Sequence, residues 1–588
     1  MKKLLEIITD EMKCAFNKAG YDENLGRVTI SNRPDLCEFQ CNGAMAGAKQ
    51  YKCAPIKIAE EVAQILSQSE VFKSAEAVMP GFLNLKLKEE FVVEYLDEMS
   101  KADKFGLEKP ENVKNIIVDY GGPNVAKPLH VGHLRSAVIG EAVKRICNYI
   151  GHNAIGDIHL GDWGLQMGLV INEIRHRNPE LVYFDESFEG EYPVEPPFNV
   201  SDLEEIYPFA SGKSKEDPEY KAEAMDATFK LQSGVKGYRA LWKHIINVSV
   251  TDMKRNYDAL NVNFELWNGE STVHDVIPQM VQEMKDGGYT YLSDGAWVID
   301  VKEDTDTKEM PPCILLKSDG ASLYNTTDLA TIKERVREYH PEQLIYLTDK
   351  RQDLYFEQVF RAAKKTKLVD DSVELVHIGF GTVNGKDGHA FKTREGGVMR
   401  LENLIKEINE KTYSRIQESR ELPEEEARNI ASIVALSAIK YGDLSNMASK
   451  DYIFDMDKFT SFEGDTGPYI LYTMVRIKSI LNKVKSEGFD IENGKFNGCY
   501  SDAEKSLMLE ITKFNAMMEN AYEEVAPHKI CAYIYDLANV FNKFYHDTKI
   551  ASEKDEAKKS SWVALLKLTL AILEDCIDVL GFSAPDKM

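Results

Sequence analysis

Two histidines that flank a glycine, His130 and His133, are the residue types in this sequence best suited to phosphate chemistry. They follow Lys127 and precede an amphipathic stretch. Where a helix begins, backbone N–H groups, the positive end of the helix dipole and two imidazoles together offer the donors that a triphosphate needs. Gly132 would let an adenine or a ribose approach the backbone, because any Cβ there would be in the way. A histidine can equally be a surface or core residue, so position alone leaves its role open.

A buried strand and a helix are predicted on either side of this segment. The apolar run 115–120 is typical of a parallel strand that is covered on both faces. A turn containing glycine and proline follows at 121–124, and a helix is predicted over 134–150. The apolar face of this helix consists of Val138, Ile139, Ala142, Ile146 and Ile150. Strand, loop and helix in this order open an α/β fold.

The whole chain is predicted to be a multi-domain α/β protein. Residues 1–105 indicate an N-terminal α+β domain, and residues 110–400 a Rossmann-like domain with a parallel sheet. An insertion of about 165–310 separates the two halves of that sheet. Residues 401–460 are predicted to be a helical connector, and residues 461–588 an all-α helical bundle.

Periodicity places the main elements within these parts. Helical stretches are predicted over 4–19, 56–67 and 219–256. Strands are predicted over 27–30, 82–87, 344–348 and 373–378. Beyond about residue 421 the pattern is almost entirely helical.

The composition is that of an acidic globular protein. The 588 residues include 71 Lys and Arg against 96 Asp and Glu, which gives a formal net charge of −25. This charge argues against non-specific binding to nucleic acid. It does not exclude a specific RNA partner, because the local field at the binding face decides. The 43% hydrophobic content and the lack of a fixed repeat exclude disorder and solenoid arrays.

A cytoplasmic location without a membrane span is predicted from the cysteines and the apolar segments. The nine cysteines include no C-x-x-C pair, so reduced thiols are favoured over a disulfide framework or a zinc site. Acidic residues soon after Leu5 argue against a secretory signal. The longest apolar stretch, Trp562 to Leu573, contains Lys567 and is too short for a membrane span.

Several motifs in sequence order resemble one known family. Residues 119–136 resemble the "HIGH" signature of class I aminoacyl-tRNA synthetases, in the version found in arginyl-tRNA synthetases. Residues 159–168 resemble a second stretch of that family. Residues 461–476, which contain Gly467-Pro468-Tyr469, resemble the start of its helical anticodon-binding domain. The resemblance covers essentially the whole chain.

The resemblance implies a two-step reaction. L-arginine would be activated by ATP to arginyl-adenylate and then transferred to a ribose hydroxyl, typically the 2′-hydroxyl, of the terminal adenosine of tRNA(Arg). ATP would act as a substrate with Mg²⁺, with no tightly bound cofactor and no metal ligands from the protein. The family also implies a monomer that needs bound tRNA before it activates the amino acid.

A pocket for arginine is implied by residues that match those of the family. A guanidinium has five donors and no acceptor, so its pocket should combine carboxylates with a flat aromatic wall. Tyr324 and Asp328 offer both, four positions apart, although such pairs are also common on solvated helix faces. In the family, the matching residues hold the arginine side chain, Gln352 matches a residue at its amino-acid end, and Asn124 matches a substrate-binding asparagine.

Two positions depart from the family at this pocket. Asp119 stands where the family has Glu, and this shorter acid would extend less far toward a guanidinium. Tyr355 stands where relatives usually carry His.

The residues implied to act on the phosphates are His130, His133 and Lys127. Phosphoryl chemistry of this kind depends on positioning and charge stabilisation and needs no general base. The second signature of class I enzymes, "KMSKS", is degenerate here as Lys392-Thr393-Arg394. Lys127 matches the upstream lysine thought to compensate. Gly132, Lys392 and Arg394 are the further candidates for ATP contact, and the alternative is a surface β-hairpin with incidental basic residues.

Contacts with tRNA are expected from both ends of the chain. The N-terminal domain would meet the outer corner of the tRNA, the insertion its acceptor end, and the bundle the anticodon. Tyr469, Tyr472, Phe544 and Tyr545 are candidates for stacking on splayed bases, or else core residues of the bundle. Editing should be unnecessary, because lysine or ornithine would leave buried carboxylates unpaired.

Three alternatives remain open. A class I synthetase for another amino acid would share the fold, although a cysteinyl enzyme would need zinc ligands that the sequence does not offer. A small nucleotidylyltransferase would not need the terminal domains. A catalytically silent paralogue that binds tRNA would have no physical need to retain His130, His133, Asn124 and Asp328.

Overall fold

The N-terminal part of the chain is an α+β unit with one antiparallel sheet. The computed structural model describes residues 1–389, 391, 399–419 and 422–588. The first elements are α1 (Leu4–Lys18), β1 (Val28–Ile30), β2 (Phe39–Cys41), α2 (Gly43–Tyr51), α3 (Pro55–Leu66), β3 (Phe72–Val78), β4 (Phe82–Leu87) and α4 (Glu89–Lys101). The strand order is β1-β2-β4-β3. The predicted α1 and α3 are confirmed, and each ends one residue before the predicted end.

The next segment contains the strand and helix predicted around the two histidines. Its elements are β5 (Asn115–Tyr120), α5 (Leu134–Ile150), β6 (Asn153–Asp157) and α6 (Leu165–Arg177). Both β5 and α5 have the predicted bounds. The interior positions Ile116, Ile117 and Val118 of β5 are fully buried, as the apolar run indicated. Gly151, with a positive φ of 117°, ends α5 in the left-handed conformation that glycine adopts without strain.

A helical insertion follows before the sheet is completed. Its elements are α7 (Val200–Glu216), α8 (Pro218–Gln232), α9 (Lys236–Ala259), α10 (Ile277–Asp286), β7 (Tyr291–Ser293), β8 (Ala296–Ile299) and β9 (Cys313–Leu316). The three strands form a small antiparallel sheet. The predicted helical stretch 219–256 is divided into α8 and α9. Gly234, with a φ of 89°, lies in the break between them.

Two further strands complete the parallel sheet. The chain continues with α11 (Tyr324–Tyr339), β10 (Gln343–Asp349), α12 (Asp353–Lys365), β11 (Glu374–Phe380) and β12 (Val383–Asn384). The sheet order is β11-β10-β5-β6, with every neighbouring pair parallel. All carboxyl ends therefore lie at one edge. The chain leaves β5 toward one side and returns at β10 on the other, and such a switch point forms the crevice in which α/β sheets bind ligands.

The rest of the described chain is mostly helical. Its elements are α13 (Leu401–Ser419), α14 (Glu424–Leu444), β13 (Tyr452–Ile453), α15 (Met456–Phe459), α16 (Gly467–Ser486), α17 (Asp502–Ile511), α18 (Phe514–Glu523), α19 (His528–Asp547) and α20 (Glu556–Val579). The apolar stretch noted in the sequence lies within α20 and packs into the bundle core. Of the helices that the structure describes, none is long and apolar enough to cross a bilayer. The predicted fold class is confirmed.

A buried ion pair joins α5 to the helical part. Arg135, in the first turn of α5, and Asp443, in α14, are 1% and 0% exposed, with Nε and Oδ2 3.2 Å apart. Arg135 Nη1 also donates to the carbonyls of Gly381 (2.9 Å) and Lys450 (2.8 Å). Tyr452 donates its hydroxyl to Asp443 Oδ2 at 2.8 Å. One guanidinium therefore fixes the start of α5 to three separate segments.

We expect Asp443→Asn to destabilise the protein by about 3–5 kcal/mol, because the buried Arg135 would lose its counter-charge. The change should appear as a lower urea midpoint, followed by circular dichroism. The matched control is Asp578→Asn, which removes an exposed partner of Arg145 at 3.6 Å and should have little effect. Equal midpoints for the two variants would contradict the assigned importance of the buried pair.

Candidate functional site

The crevice at the carboxyl ends of β5 and β10 contains the loop that leads from β5 to the two histidines. Gly121 and Gly122 turn the chain with positive φ values of 111° and 41°. The loop then runs beside residues 158–161: Val125 N–H donates to the Gly161 carbonyl and Gly161 N–H to the Pro123 carbonyl, both at 3.1 Å. These bonds present the side chain of Asn124 at the surface of the crevice.

Backbone hydrogen bonds hold the two imidazoles in one tautomer. His130 Nδ1 accepts from Gly132 N–H at 3.0 Å, and His133 Nδ1 accepts from His130 N–H at 3.1 Å. The ring centroids are 4.0 Å apart. With both Nδ1 atoms acting as acceptors, a neutral ring carries its proton on Nε2. The pair thus offers two N–H donors at the N-terminus of α5.

Burial keeps both rings neutral at physiological pH. It lowers the pKa of His133 to about 3, with a further contribution from His130. Burial, and then the charge of Lys127, also lowers the pKa of His130. The rings therefore act as hydrogen-bond donors and not as fixed positive charges.

The ring of His130 leaves no room for a side chain at Gly132, which is a second reason for glycine there besides the predicted approach of a ligand. A Cβ at this position would lie 2.6 Å from Cε1 of His130. A larger residue would displace that ring and with it the donor pair. Gly132 itself is exposed to the crevice.

The chain beyond the second signature returns to the histidines. Val131 N–H donates to the Met399 carbonyl at 3.0 Å, and Leu401 N–H donates to the Leu129 carbonyl at 2.9 Å. The predicted ATP contacts Lys392 and Arg394 lie outside the described residues. Of the described residues on either side of them, Phe391 N–H donates to the Val383 carbonyl, and the Met399 carbonyl accepts from Val131 N–H.

Lys127 is half-buried in the same loop. Its ammonium lies over the ring of Tyr207, a residue of α7, at 4.3 Å from the ring centroid. The structure therefore brings Lys127, His130 and His133 together.

A second group of residues forms an acidic pocket at the start of α11. Tyr324 and Asp328 both lie in this helix, and Tyr324 is 73% exposed. Asp328 accepts a hydrogen bond from the hydroxyl of Tyr355 in α12. Burial raises the pKa of Asp328, although the Tyr355 hydroxyl opposes this. Tyr355, noted in the sequence only as a departure, thus orients the central carboxylate.

Glu270 is a site residue that the sequence analysis missed. It lies in a short turn after residues 266–269, which pair with the segment 157–160. Burial, with the nearby charges of Asp162 and Asp328, raises the pKa of Glu270 to about 7. The charge of Glu270 adds to burial in raising the pKa of the Tyr324 hydroxyl. No cation among the described residues pairs with Glu270. The sequence contains no motif that marks this residue, because only the fold brings it close to Asp328.

Asp119 is held by a cation of the protein itself. Arg335 is 2% exposed, and its Nη2 donates to Asp119 Oδ2 at 2.6 Å and to Asp157 Oδ2 at 2.7 Å. The sequence placed Asp119 with the residues that hold a substrate guanidinium. In the structure one of its oxygens accepts a hydrogen bond from Arg335.

Gln352 and Asn124 face the crevice as uncommitted amides. Gln352 ends the turn after β10 and is exposed, and neither side-chain amide has a hydrogen-bond partner among the described residues. A Cβ at Gly161 would lie 2.2 Å from Oδ1 of Asn124, so the glycine leaves space for this amide.

The arrangement suits a ligand with two chemically different ends. Neutral N–H donors and Lys127 offer hydrogen bonds to phosphate oxygens at the N-terminus of α5. The carboxylates of Glu270 and Asp328 suit a planar cation. Within the described part of the chain, no three His, Cys, Asp or Glu side chains are grouped to hold a metal ion.

Comparison with protein families covers nearly the whole chain. Residues 2–87 match the family described as "Arginyl tRNA synthetase N terminal domain". Residues 97–456 match "tRNA synthetases class I (R), catalytic domain". Residues 470–588 match "DALR anticodon binding domain".

Similar proteins and structures extend over the same length. The chain is 62% identical to a protein of Agathobacter rectalis and 54% identical to one of Alkaliphilus oremlandii, both named arginine–tRNA ligase, with 100% of each chain covered. The arginyl-tRNA synthetase structure from Plasmodium falciparum matches with a TM-score of 0.82 at 26% identity and full coverage of both chains. That from Thermus thermophilus matches with a TM-score of 0.77 at 22% identity, also over both full chains, and supports the fold.

We expect Arg335→Met to lower stability by about 3–5 kcal/mol, because Asp119 and Asp157 would lose their shared counter-charge. Adding Asp157→Asn should restore part of the loss, since one uncompensated carboxylate is then removed. Thermal unfolding monitored by intrinsic fluorescence would measure both changes. Arg337→Met, which removes an exposed ion pair on the same helix, is the control, and a melting temperature of Arg335→Met equal to that of this control would refute the expectation.

Proposed function

Because the chain belongs to the arginine–tRNA ligase family, we propose that it activates L-arginine with ATP and transfers the arginyl group to tRNA(Arg). The observation that carries this proposal is the pairing of two sites in one crevice. A neutral imidazole pair follows β5, and an acidic pocket with Glu270 and Asp328 is formed by segments that follow or pack against the same carboxyl edge of the sheet. ATP phosphates and an arginine side chain are the ligands that these two sites suit.

In the first step, an oxygen of the arginine carboxylate attacks the α-phosphorus of ATP. The bond to the bridging oxygen of the β-phosphate breaks, and pyrophosphate leaves. His130 and His133 donate from Nε2 to the phosphate oxygens, and Lys127 balances their charge. We include Gly132, Lys392 and Arg394 as further ATP contacts. The attacking carboxylate is already ionised, so no general base is needed.

Mg²⁺ enters this proposal as part of the substrate, bound to the phosphates of ATP. The polar residues described around the histidines are donors, which suit phosphate oxygens and do not ligate a cation. In the second step, a ribose hydroxyl of the terminal adenosine attacks the arginyl carbonyl carbon. AMP leaves, and the arginyl ester of tRNA forms.

The arginine side chain is held in the acidic pocket. Glu270 and Asp328 accept from its N–H groups, and the exposed ring of Tyr324 covers its planar face. Asn124 and Gln352 bind the amino-acid end through their amides. Asp119 contributes to binding through the electrostatic attraction of its negative charge for the guanidinium, because Arg335 already occupies one of its oxygens. Lysine would leave part of this acceptor set unpaired, so rejection occurs at binding.

The helical bundle offers a stacking surface for tRNA bases. Tyr472 and Tyr545 are exposed, and the guanidinium of Arg476 lies over both rings, at 4.7 Å and 5.3 Å from their centroids. A cation between two exposed aromatic rings suits splayed bases beside phosphate. Phe544, predicted as a stacking candidate, is fully buried and belongs to the core. Tyr469 is half-buried and bonded to Asn539 at 2.8 Å.

The remaining parts of the proposal follow from its substrates. We assign residues 1–105 and the insertion of about 165–310 to tRNA contact, and residues 461–588 to the anticodon. The sheet domain of 110–400 carries the chemistry, and residues 401–460 connect it to the bundle. Because its proposed substrates include ATP and tRNA, we expect the enzyme to act in the cytoplasm, as a monomer.

Pyrophosphate exchange into ATP tests the proposed function. We expect exchange with arginine and with none of the other nineteen amino acids, and only in the presence of tRNA. Exchange with a different amino acid would overturn the pocket assignment but retain the class of reaction. If no amino acid supports exchange even with tRNA, the catalytic proposal fails.

The pH dependence of arginine binding tests Glu270 separately. Below a pH of about 7 the carboxyl of Glu270 is protonated and cannot pair with a guanidinium, so the KM for arginine should fall as pH rises from 6 to 8. Glu270→Gln should raise this KM about tenfold or more at pH 8 and flatten its pH profile, since each pH unit of lost ionisation corresponds to about a tenfold change.

Steady-state exchange assays across this pH range supply the measurement. Glu303→Gln, which neutralises an exposed acid near Arg361, is the control and should retain the wild-type profile. A Glu270→Gln profile that still falls with pH would show that another group is responsible.

A further inference from the structure

Helix α7 of the insertion contacts basic residues on both sides of the histidine pair. Glu204 and Tyr207 lie three positions apart on this helix, hence on one face. Glu204 Oε2 is 2.8 Å from Arg400 Nη2, and the Glu204 side chain is only 13% exposed. The ring of Tyr207 lies under the ammonium of Lys127 at 4.3 Å. Two independent contacts therefore connect one helix to the phosphate side of the crevice.

Both cations are fixed to the histidine segment through the backbone. Lys127 lies three residues before His130. Arg400 pairs with His130 in an antiparallel β-bridge, beside the Met399–Val131 hydrogen bond. A shift of α7 would therefore move the two side chains that flank the donor pair, while the backbone of the pair stays in place.

Helix α7 is anchored in the insertion by a capped N-terminus and a buried face, and it contains Pro208 directly after Tyr207. Asn199 caps it by accepting from Asp202 N–H at 3.2 Å, and Asp202 accepts from Asn199 N–H at 2.8 Å. Leu203, Ile206 and Ala210 are buried on the neighbouring face of the helix. The cap and this buried face hold the part of α7 that presents Glu204 and Tyr207 to the crevice.

The partner of Lys127 is an aromatic ring and, among the described residues, no carboxylate pairs with it. A carboxylate would compete with phosphate for the ammonium and would cancel its charge. A ring face attracts the ammonium and restricts its position, yet leaves the positive charge available. This is the arrangement that a lysine needs if it is to be placed in advance for an anion.

We propose that Tyr207 of α7 is a positioning residue for Lys127, and that the Glu204–Arg400 pair fixes α7 beside the histidine segment, so that the insertion sets the affinity of the site for ATP phosphates. The proposal rests on the proposed function for the identity of the phosphate ligand. Tyr207 touches no reacting atom and acts through Lys127. Glu204 acts through the position of α7, because its partner Arg400 is bridged to His130.

The test compares two substitutions of Tyr207 in arginine-dependent pyrophosphate exchange with tRNA present. Tyr207→Leu removes the ring and should raise the KM for ATP about three- to tenfold, while the KM for arginine changes less than twofold. Tyr207→Phe keeps the ring and should restore the wild-type KM for ATP. The matched control is Phe209→Leu. Phe209 also lies in α7, and its ring is beneath the guanidinium of Arg177, 5.5 Å from the ring centroid.

Double substitution shows whether the effect passes through Lys127. In a Lys127→Met background, Tyr207→Leu should have no further effect on the KM for ATP. Glu204→Gln should raise the KM for ATP when Lys127 is present and have no further effect in the Lys127→Met background, because it acts through the position of α7. Thermal unfolding of each variant identifies any general loss of folding, and Glu204→Gln is the second variant if Tyr207→Leu does not fold.

The outcomes separate this inference from the proposed function. Three results would overturn the positioning role. Tyr207→Leu could raise only the KM for arginine, or Tyr207→Phe could raise the KM for ATP as much as Tyr207→Leu does. Tyr207→Leu could also raise the KM for ATP by the same factor in the Lys127→Met background. If the wild-type chain shows no exchange, the proposed function fails, and the inference is then tested by ATP titration followed by thermal shift. Weaker ATP binding by Tyr207→Leu than by Phe209→Leu would support it, and equal binding would overturn it.

Discussion

The buried pairing of Arg135 with Asp443 is the interaction on which the geometry of the site depends. Arg135 lies two residues after His133, and its guanidinium binds a carboxylate and two carbonyls from segments far apart in sequence. Such a pair needs several hydrogen bonds to offset the cost of taking both charges out of water. Because these bonds have defined directions, α5 has one orientation against the sheet and against α14. The imidazoles at its N-terminus inherit that orientation.

A second constraint is the balance of charge around the crevice. Four carboxylates lie close together there, those of Asp119, Asp157, Glu270 and Asp328. Arg335 compensates the first two. Burial raises the pKa of the other two, and the charges of Asp162 and Asp328 raise that of Glu270 further. The guanidinium of Arg335 is thus the permanent partner of Asp119 and Asp157, whereas Glu270 and Asp328 are left to pair with a cation of the ligand. This arrangement favours a planar cation as the ligand.

Sequence patterns predict the local elements of this fold well and its long-range contacts poorly. Strand β5 and helix α5 are predicted to their end residues, because a buried strand and an amphipathic helix are each set by neighbours in the chain. The break between α8 and α9 is missed, since one glycine in a helical pattern is an ambiguous signal. Glu270 carries no periodic or motif signal and becomes part of the site only through the pairing of its segment with residues 157–160. Similarly, aromatic spacing cannot separate the buried Phe544 from the exposed Tyr545.

The position of the insertion between β6 and β10 has a consequence for how the molecule forms. Strand β5 must pair with β10 across the entire insertion, which is a contact of long sequence separation and a slow one to close. While the ribosome is still making the insertion, β5 has a partner only on the side of β6, so its other edge is exposed along with the apolar Ile117. Newly made chains that stop before β10 would therefore present an open sheet edge, which makes this stage of synthesis the one most exposed to aggregation and to chaperone binding.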